Sequence, residues 1–241
     1  MLFIRHVLFN KREANNYNII EGKILELKIG NEQDIHTWEQ VTLVYHSALK
    51  QINTKIEIIN DEFQQVHRYN PIEHIKARIK TSESIVKKLK RHGYESTIEN
   101  MVKYVNDIAG IRVICSFTND IYTIADIISN QSDIRIIAVK DYIMNPKASG
   151  YRSYHMVVTV PVYLSDRIID TKVEIQIRTV AMDFWASLEH KIQYKFEGNA
   201  PTHINTELLE CAHMVSELDA RMLSLNNEIL EIAGKLENQK S

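Results

Sequence analysis

"KVEIQIRT", from Lys172 to Thr179, decides how the rest of the chain is read. Strict alternation puts Val173, Ile175 and Ile177 on one side and Lys172, Glu174, Gln176 and Arg178 on the other. That period of two marks a β-strand with one face in a core. Four polar residues on the opposite face either line a cavity or, on an edge strand, meet water.

Outward from this strand, "GIRVICSF" (Gly110 to Phe117), "IRIIAVKDYI" (Ile134 to Ile143) and "YHMVVTVPV" (Tyr154 to Val162) are further β-branched runs bounded by turn residues. "IEHIKARIK" predicts one more short strand. Helices are expected between and around them. In "SESIVKKLKRHG" Ser82 is placed to cap a helix and Gly93 to stop it, and helices are predicted over Thr97 to Tyr104, Asp120 to Ser129 and Val180 to Lys195. The expectation is an α+β fold: a mixed sheet flanked by helices, with long helices toward both chain ends.

Those two long helices carry apolar stripes. Trp38, Thr42, Tyr45, Leu49, Ile52, Ile56, Ile59, Phe63 and Val66 recur at spacings of three and four, and Pro71 follows. Leu208, Cys211, Val215, Leu218, Met222, Leu225, Ile229, Ile232 and Leu236 repeat the pattern through four heptads. Such a stripe either lies on its own domain or packs against another subunit, and two of them favour a homo-oligomer. The expected division is an N-terminal segment and helix over 1–69, a catalytic-type domain over 70–198 and a helical oligomerisation segment over 199–241.

The 29 basic and 31 acidic residues nearly cancel. This argues against a protein built to coat nucleic acid and leaves RNA as an open minor possibility. "MLFIRHVLFNKREANN" is too short and too interrupted for a membrane span and lacks a small-residue cleavage site. Cys115 and Cys211 form no CxxC or Cys/His zinc pattern, so a reduced, cytoplasmic setting is expected.

Two regions suit nucleotides. "NPKASGYRSYH" (Asn145 to His155) combines turn residues Pro146 and Gly150 with Lys147, Arg152 and His155 for phosphate and with Tyr151 and Tyr154 as flat faces for a base. "HIKARIKTSESIVKKLKRHG" gathers Lys80, Lys88 and Arg91 about a helix whose first turn holds Ser84, where free N–H groups attract anions. Arg78 offers a planar guanidinium for a base. Asp107, just before the strand at Gly110, and Glu174 become a magnesium-type carboxylate pair if their strands are neighbours.

"RIKTSESIVKKLKRHG", "NDIAGIRVIC", "DYIMNPKASGYRSYH" and "VEIQIRTVAMDFWASLEHKIQYK" together resemble the synthetase domain of the RelA/SpoT homologues in its short form, the small alarmone synthetases. The resemblance implies a nucleotidyltransferase-like fold and Mg2+-dependent transfer of pyrophosphate from ATP to the ribose 3′-hydroxyl of GTP or GDP, in the cytoplasm, by a homotetramer. It implies Asp107 as the metal-binding aspartate and Glu174 as the glutamate that contacts metal and activates the hydroxyl. Arg78 and Arg112 resemble the pair enclosing adenine, and Lys80, Ser84, Lys88 and Arg91 the ATP-phosphate set. Tyr151 resembles the guanine stack, with Lys147 and His155 near the acceptor's phosphates. Ser149 follows Ala148 where many relatives carry asparagine before the glycine. The chain contains no His-Asp dipeptide, the metal motif of the family's hydrolase domain, so a synthetase without hydrolase activity is expected. A relative acting on another acceptor (an adenine nucleotide or a tRNA 3′ end) and a non-catalytic nucleotide or RNA binder remain the alternatives.

Overall fold

The computed structural model describes residues 37–67, 69–196 and 200–238. The reading of residues 1–16 as unable to span a membrane, and the domain limit at Gly198, fall outside them. Among the described residues no helix is long and apolar enough to cross a membrane.

Helix α1 (Trp38–Val66) opens the described chain with a capping box. The Thr37 hydroxyl accepts from the Gln40 N–H at 3.2 Å while the Gln40 side chain accepts from the Thr37 N–H. Its predicted stripe is buried through its middle: Tyr45, Leu49, Ile52, Ile56 and Ile59 lie in the core, Trp38 and Phe63 pack against it, and Val66, at the helix end, is exposed instead. Strand β1 (Ile72–Ile79), helices α2 (Ser82–Arg91) and α3 (Ile98–Tyr104), strand β2 (Ala109–Cys115), helix α4 (Thr118–Ser129) and strands β3 (Arg135–Asp141), β4 (Tyr154–Tyr163) and β5 (Ile168–Thr179) follow. Helices α5 (Val180–Lys195) and α6 (Thr202–Asn238) complete the order.

The cap of α2 is Thr81 rather than Ser82: its hydroxyl accepts from the Ser84 N–H, while Ser82 is already the first helical residue. Strand β1 ends at Ile79 and Lys80 is tied by its N–H to the Ile108 carbonyl at 2.8 Å, so the extended residue immediately before the helix is Thr81. Gly93 ends that helix with a positive φ of 77°.

The strands form one mixed sheet in the order β1-β2-β5-β4-β3. Only β2 and β5 run parallel, in a register that sets Gly110 opposite Glu174 and Arg112 opposite Gln176. Strand β5 is therefore central, which excludes the edge-strand reading of its polar face. Val173, Ile175 and Ile177 are fully buried in the core, and α1 packs along β1, β2, β4 and β5.

Helix α6 behaves differently from α1. Of its stripe, Leu218, Met222, Leu225, Ile229 and Ile232 are exposed in the single chain. The residues that seat it on the domain are Ala212 and Asp219, both buried, with Leu208 and Val215 partly so.

Candidate active site

Two adjoining cavities open on the polar face of β5, and Asp107, Glu174 and Gln176 border both. One, of about 350 Å³, is lined beyond these three by Lys76, Arg78, Gly110 and Arg112 from β1 and β2. The other, of about 480 Å³, is lined by Lys88, Lys140, Tyr142, Lys147, Ser149, Tyr151, His155 and Glu189. Two chambers meeting at two carboxylates can hold two ligands with their reacting ends together. The openings follow from side-chain size: Gly110, between Arg78 and Glu174, has no side chain to fill the first chamber.

Asp107 sits in the turn between α3 and β2. Its Oδ2 accepts from the Lys80 ammonium and its Oδ1 from Lys88 at 2.8 Å. Burial would raise its pKa, but the two lysines outweigh burial and hold the carboxyl below its ordinary range. Lys172, at the far end of the polar face, does not line either cavity. Its ammonium donates to the carbonyls of Val102 and Lys103 at 3.0 and 2.9 Å and to Asn106 Oδ1 at 3.1 Å. It thereby caps the C-terminus of α3 and fixes the turn that presents Asp107.

Glu174 is held by two neighbours. Gln176 Nε2 donates to its Oε2 at 2.8 Å, and His155 Nδ1 lies 3.5 Å from its Oε1. Burial pushes this carboxyl upward, yet His155 and Gln176 outweigh it and the net direction is down. The other ring nitrogen of His155 meets Tyr151. Arg178 Nη2 donates to the Tyr151 hydroxyl at 2.5 Å, and arginine only donates. Tyr151 Oη and His155 Nε2 lie within hydrogen-bond distance at 2.8 Å, so the ring is held between Tyr151 and Glu174.

Arg178 is the buried centre of this network. Besides Tyr151 it donates to Gln176 Oε1 at 3.1 Å, Ser153 Oγ at 3.3 Å and Asp183 Oδ1 at 3.1 Å. Its guanidinium lies 5.0 Å from the Tyr151 ring centre, and the Lys147 ammonium 4.6 Å from the same ring. Tyr142 meets both Tyr151 and His155 edge-on.

The loop carrying Tyr151 is braced from behind. Gly150 has φ 87°, and a β-carbon there would lie 2.5 Å from Ala212 Cβ of α6. Trp185 Nε1 donates to the Leu208 carbonyl at 2.9 Å, and Thr179 Oγ1 donates to Asp219 Oδ2 at 2.7 Å. Tyr151 packs against the small cluster of Trp185, Ala186 and Ala212.

Of the residues singled out in the sequence, Arg78, Lys88, Asp107, Arg112, Lys147, Tyr151, His155 and Glu174 border the cavities, and Lys80 reaches them through Asp107. Ser84 and Arg91 border neither: Ser84 lies in the first turn of α2, and Arg91 at its far end. Lys76, a member of the basic segment "HIKARIKTSESIVKKLKRHG", lines the smaller chamber, whereas Lys140, Tyr142 and Glu189 are lining residues that sequence reasoning missed. For Glu189 the signal lay within "LEHK" of α5; the other two read as ordinary strand residues.

Comparison with known proteins finds relatives in sequence and in structure. Residues 77–199 match the family described as a region found in RelA/SpoT proteins. The chain is 46% identical over 209 residues to the GTP pyrophosphokinase YwaC of Bacillus subtilis, covering 85% of this chain and 100% of that protein. The crystal structure of small alarmone synthetase 2 from Bacillus subtilis superposes with a TM-score of 0.72 at 46% identity, covering 79% of this chain and 98% of that one. Small alarmone synthetase 1 from the same organism, bound to its product pppGpp, superposes with a TM-score of 0.75 at 33% identity, covering 80% and 97%.

Proposed function

The chain belongs to the RelA/SpoT family, and from that premise we infer that it is a GTP pyrophosphokinase of the small alarmone synthetase kind. It transfers the β,γ-pyrophosphoryl group of ATP to the ribose 3′-hydroxyl of GTP or GDP. The bond from O3′ to the β-phosphorus forms, the bond from that phosphorus to the α,β-bridging oxygen breaks, and AMP leaves. The observation that carries this reading is the pair of chambers that meet at Asp107 and Glu174.

ATP occupies the chamber of Arg78 and Arg112, whose guanidinium groups enclose adenine. Lys80 and Lys88, gathered at Asp107, turn to the triphosphate when it enters, with Ser84 and Arg91 as outlying members of the same set. The guanine nucleotide occupies the larger chamber, its base on Tyr151 and its phosphates near Lys147 and His155. Glu174 takes the proton of the 3′-hydroxyl; its lowered pKa keeps it ionised and ready near neutral pH. A positioned base contributes about 10²- to 10⁴-fold. Alignment and neutralisation of phosphoryl charge supply the rest.

Magnesium fits the donor set. Among the described residues no three His, Cys, Asp or Glu side chains form a metal cage, so the protein offers two carboxylates and the nucleotides complete the shell. Asp107 and Glu174 would hold it, and when bound it neutralises charge on the transferred group.

Residues 70–198 form the catalytic domain in this reading, and the segment from 199 to 241 assembles the chain into a homotetramer through the exposed stripe of α6. Two free thiols, Cys115 and Cys211, and nucleotide substrates suit a cytoplasmic enzyme. Incubating the purified protein with ATP, magnesium and GDP or GTP, then separating the products by anion exchange, tests the activity. AMP and a 3′-pyrophosphorylated guanine nucleotide in equal amounts are expected. Their absence with both acceptors would overturn it.

A further inference from the structure

Asp183, in the first turn of α5, is buried and has no part in the reaction as described so far. Its Oδ1 accepts two charge-assisted bonds, from Arg112 Nη1 at 3.0 Å and from Arg178 Nη1 at 3.1 Å. Arg112 lines the smaller chamber, and Arg178 holds Tyr151 and Gln176 at the larger one. We propose that Asp183 is a positioning residue that couples the two nucleotide sites, so that each nucleotide strengthens the binding of the other through the single oxygen shared by Arg112 and Arg178. The proposal rests on the assignment of adenine to Arg112 and guanine to Tyr151.

Three observations make the shared oxygen more than a structural ion pair. Asp183 is the only hydrogen-bond acceptor of the Arg112 side chain among the described residues, and Arg112 Nε is buried without a partner. How that guanidinium is presented to a base therefore depends on one carboxylate. The two guanidinium groups also oppose each other. Burial first, and the Arg178 charge next, pull Arg112 below its usual pKa, with Asp183 acting against them. A change at either arginine is felt at the other because both draw on the same lone pairs.

Beyond Arg178 the chain of bonds divides and closes again. One branch runs through Gln176 to Glu174 Oε2, the other through Tyr151 and His155 toward Glu174 Oε1. A base stacked on Arg112 that fixes Asp183 also fixes Arg178, and with it both supports of the proposed general base and the ring proposed to carry guanine. This is a contiguous network joining two sites, and its effect has to be reciprocal.

The test is calorimetric titration of α,β-methylene-ATP and GDP, each alone and each against protein saturated with the other, in the wild-type protein and in Asp183→Asn. The expected wild-type result is mutual enhancement within the usual span of roughly 5- to 150-fold. In Asp183→Asn the enhancement is expected to vanish while each nucleotide alone still binds, and Asp183→Glu is expected to restore part of it. A purely structural role would lower stability and single affinities without removing their mutual effect. If Asp183→Asn does not fold by circular dichroism, Arg112→Gln cuts the link from the other side, and GDP affinity must then no longer respond to saturating analogue. Undiminished enhancement in either folded variant, or no enhancement in the wild type, would sink the coupling proposal alone. Failure of the wild type to bind either nucleotide would instead bring down the functional reading beneath it.

Discussion

Glu174 and Gly110 face each other across the single parallel strand pair of the sheet. Parallel pairing brings the start of β2, and Asp107 just before it, level with the middle of β5. Two carboxylates far apart in sequence thereby come to border the same pair of chambers. With glycine opposite, the ground beside Glu174 stays open on the Arg78 side.

From this follows the behaviour of Glu174→Gln. The substitution is nearly isosteric and removes charge and basicity only, so turnover is expected to fall by at least about 10²-fold. GDP binding, measured by calorimetry, should change little. Near-normal turnover would show that Glu174 is not the base.

Arg78→Ala separates the two chambers kinetically. Arg78 lines only the smaller one. The KM for ATP is expected to rise several-fold more than that for GDP, in initial-rate measurements with the other substrate saturating. The reverse pattern would exchange the assignments of the chambers.

Gly150→Ala tests the brace behind Tyr151. A β-carbon would be forced to φ 87° and to 2.5 Å from Ala212 Cβ. The left-handed conformation alone costs about 1–2 kcal/mol, which corresponds to about tenfold in affinity if the loop yields instead. Weaker GDP binding with ATP-analogue binding nearly intact is expected, and equal loss of both would argue for general unfolding.

Asp219 provides a pH test. Burial raises its pKa, opposed by the Thr179 hydrogen bond and the Arg152 charge. A carboxyl with a raised folded-state pKa adds stability in its protonated form and loses it as pH rises through that value. Asp219→Asn, which can still accept from Thr179, should therefore melt at or above the wild-type temperature at neutral pH. The difference should shrink on acidification into the carboxylate range. A difference that grows toward acid would contradict the sign.

Leu218→Glu combined with Leu225→Glu probes assembly. Both side chains are 53% exposed in the single chain, so the fold should tolerate the change. A leucine buried between subunits is worth roughly 1.5–3 kcal/mol, and two charges at its place should dissociate the proposed homo-oligomer. Light scattering should report monomers beside an unaltered circular dichroism spectrum; an unaltered mass would remove α6 from the interface.

The residues differ in how openly they announced themselves. α1 and the strands were legible because burial imposes a period on the sequence, and β5 showed its two faces in eight letters. The centrality of β5 was not legible, since strand order is set by pairing over long sequence distances. The cap at Thr81 was missed because two hydroxyl residues adjoin and only the end of β1 chooses between them. Asp183 gave no signal either: an acid in the first turn of a helix usually serves the helix dipole, and its value here comes from two arginines on two other elements. On α6 the apolar stripe was legible, but among the described residues only its Leu208 and Val215 reach the domain, which is gripped beside them by Ala212 and Asp219, residues that no hydrophobic period reveals.

The contact of Gly150 with Ala212, and of Thr179 with Asp219, has a consequence for the birth of the protein. Synthesis runs from the N-terminus at about 5–20 residues per second, and structure forms as chain becomes available. The sheet and the smaller chamber need nothing beyond α5, but the loop bearing Tyr151 leans on a helix translated after every strand is already in place. The nascent chain thus completes the smaller chamber first and the brace behind Tyr151 last, once α6 has emerged and docked.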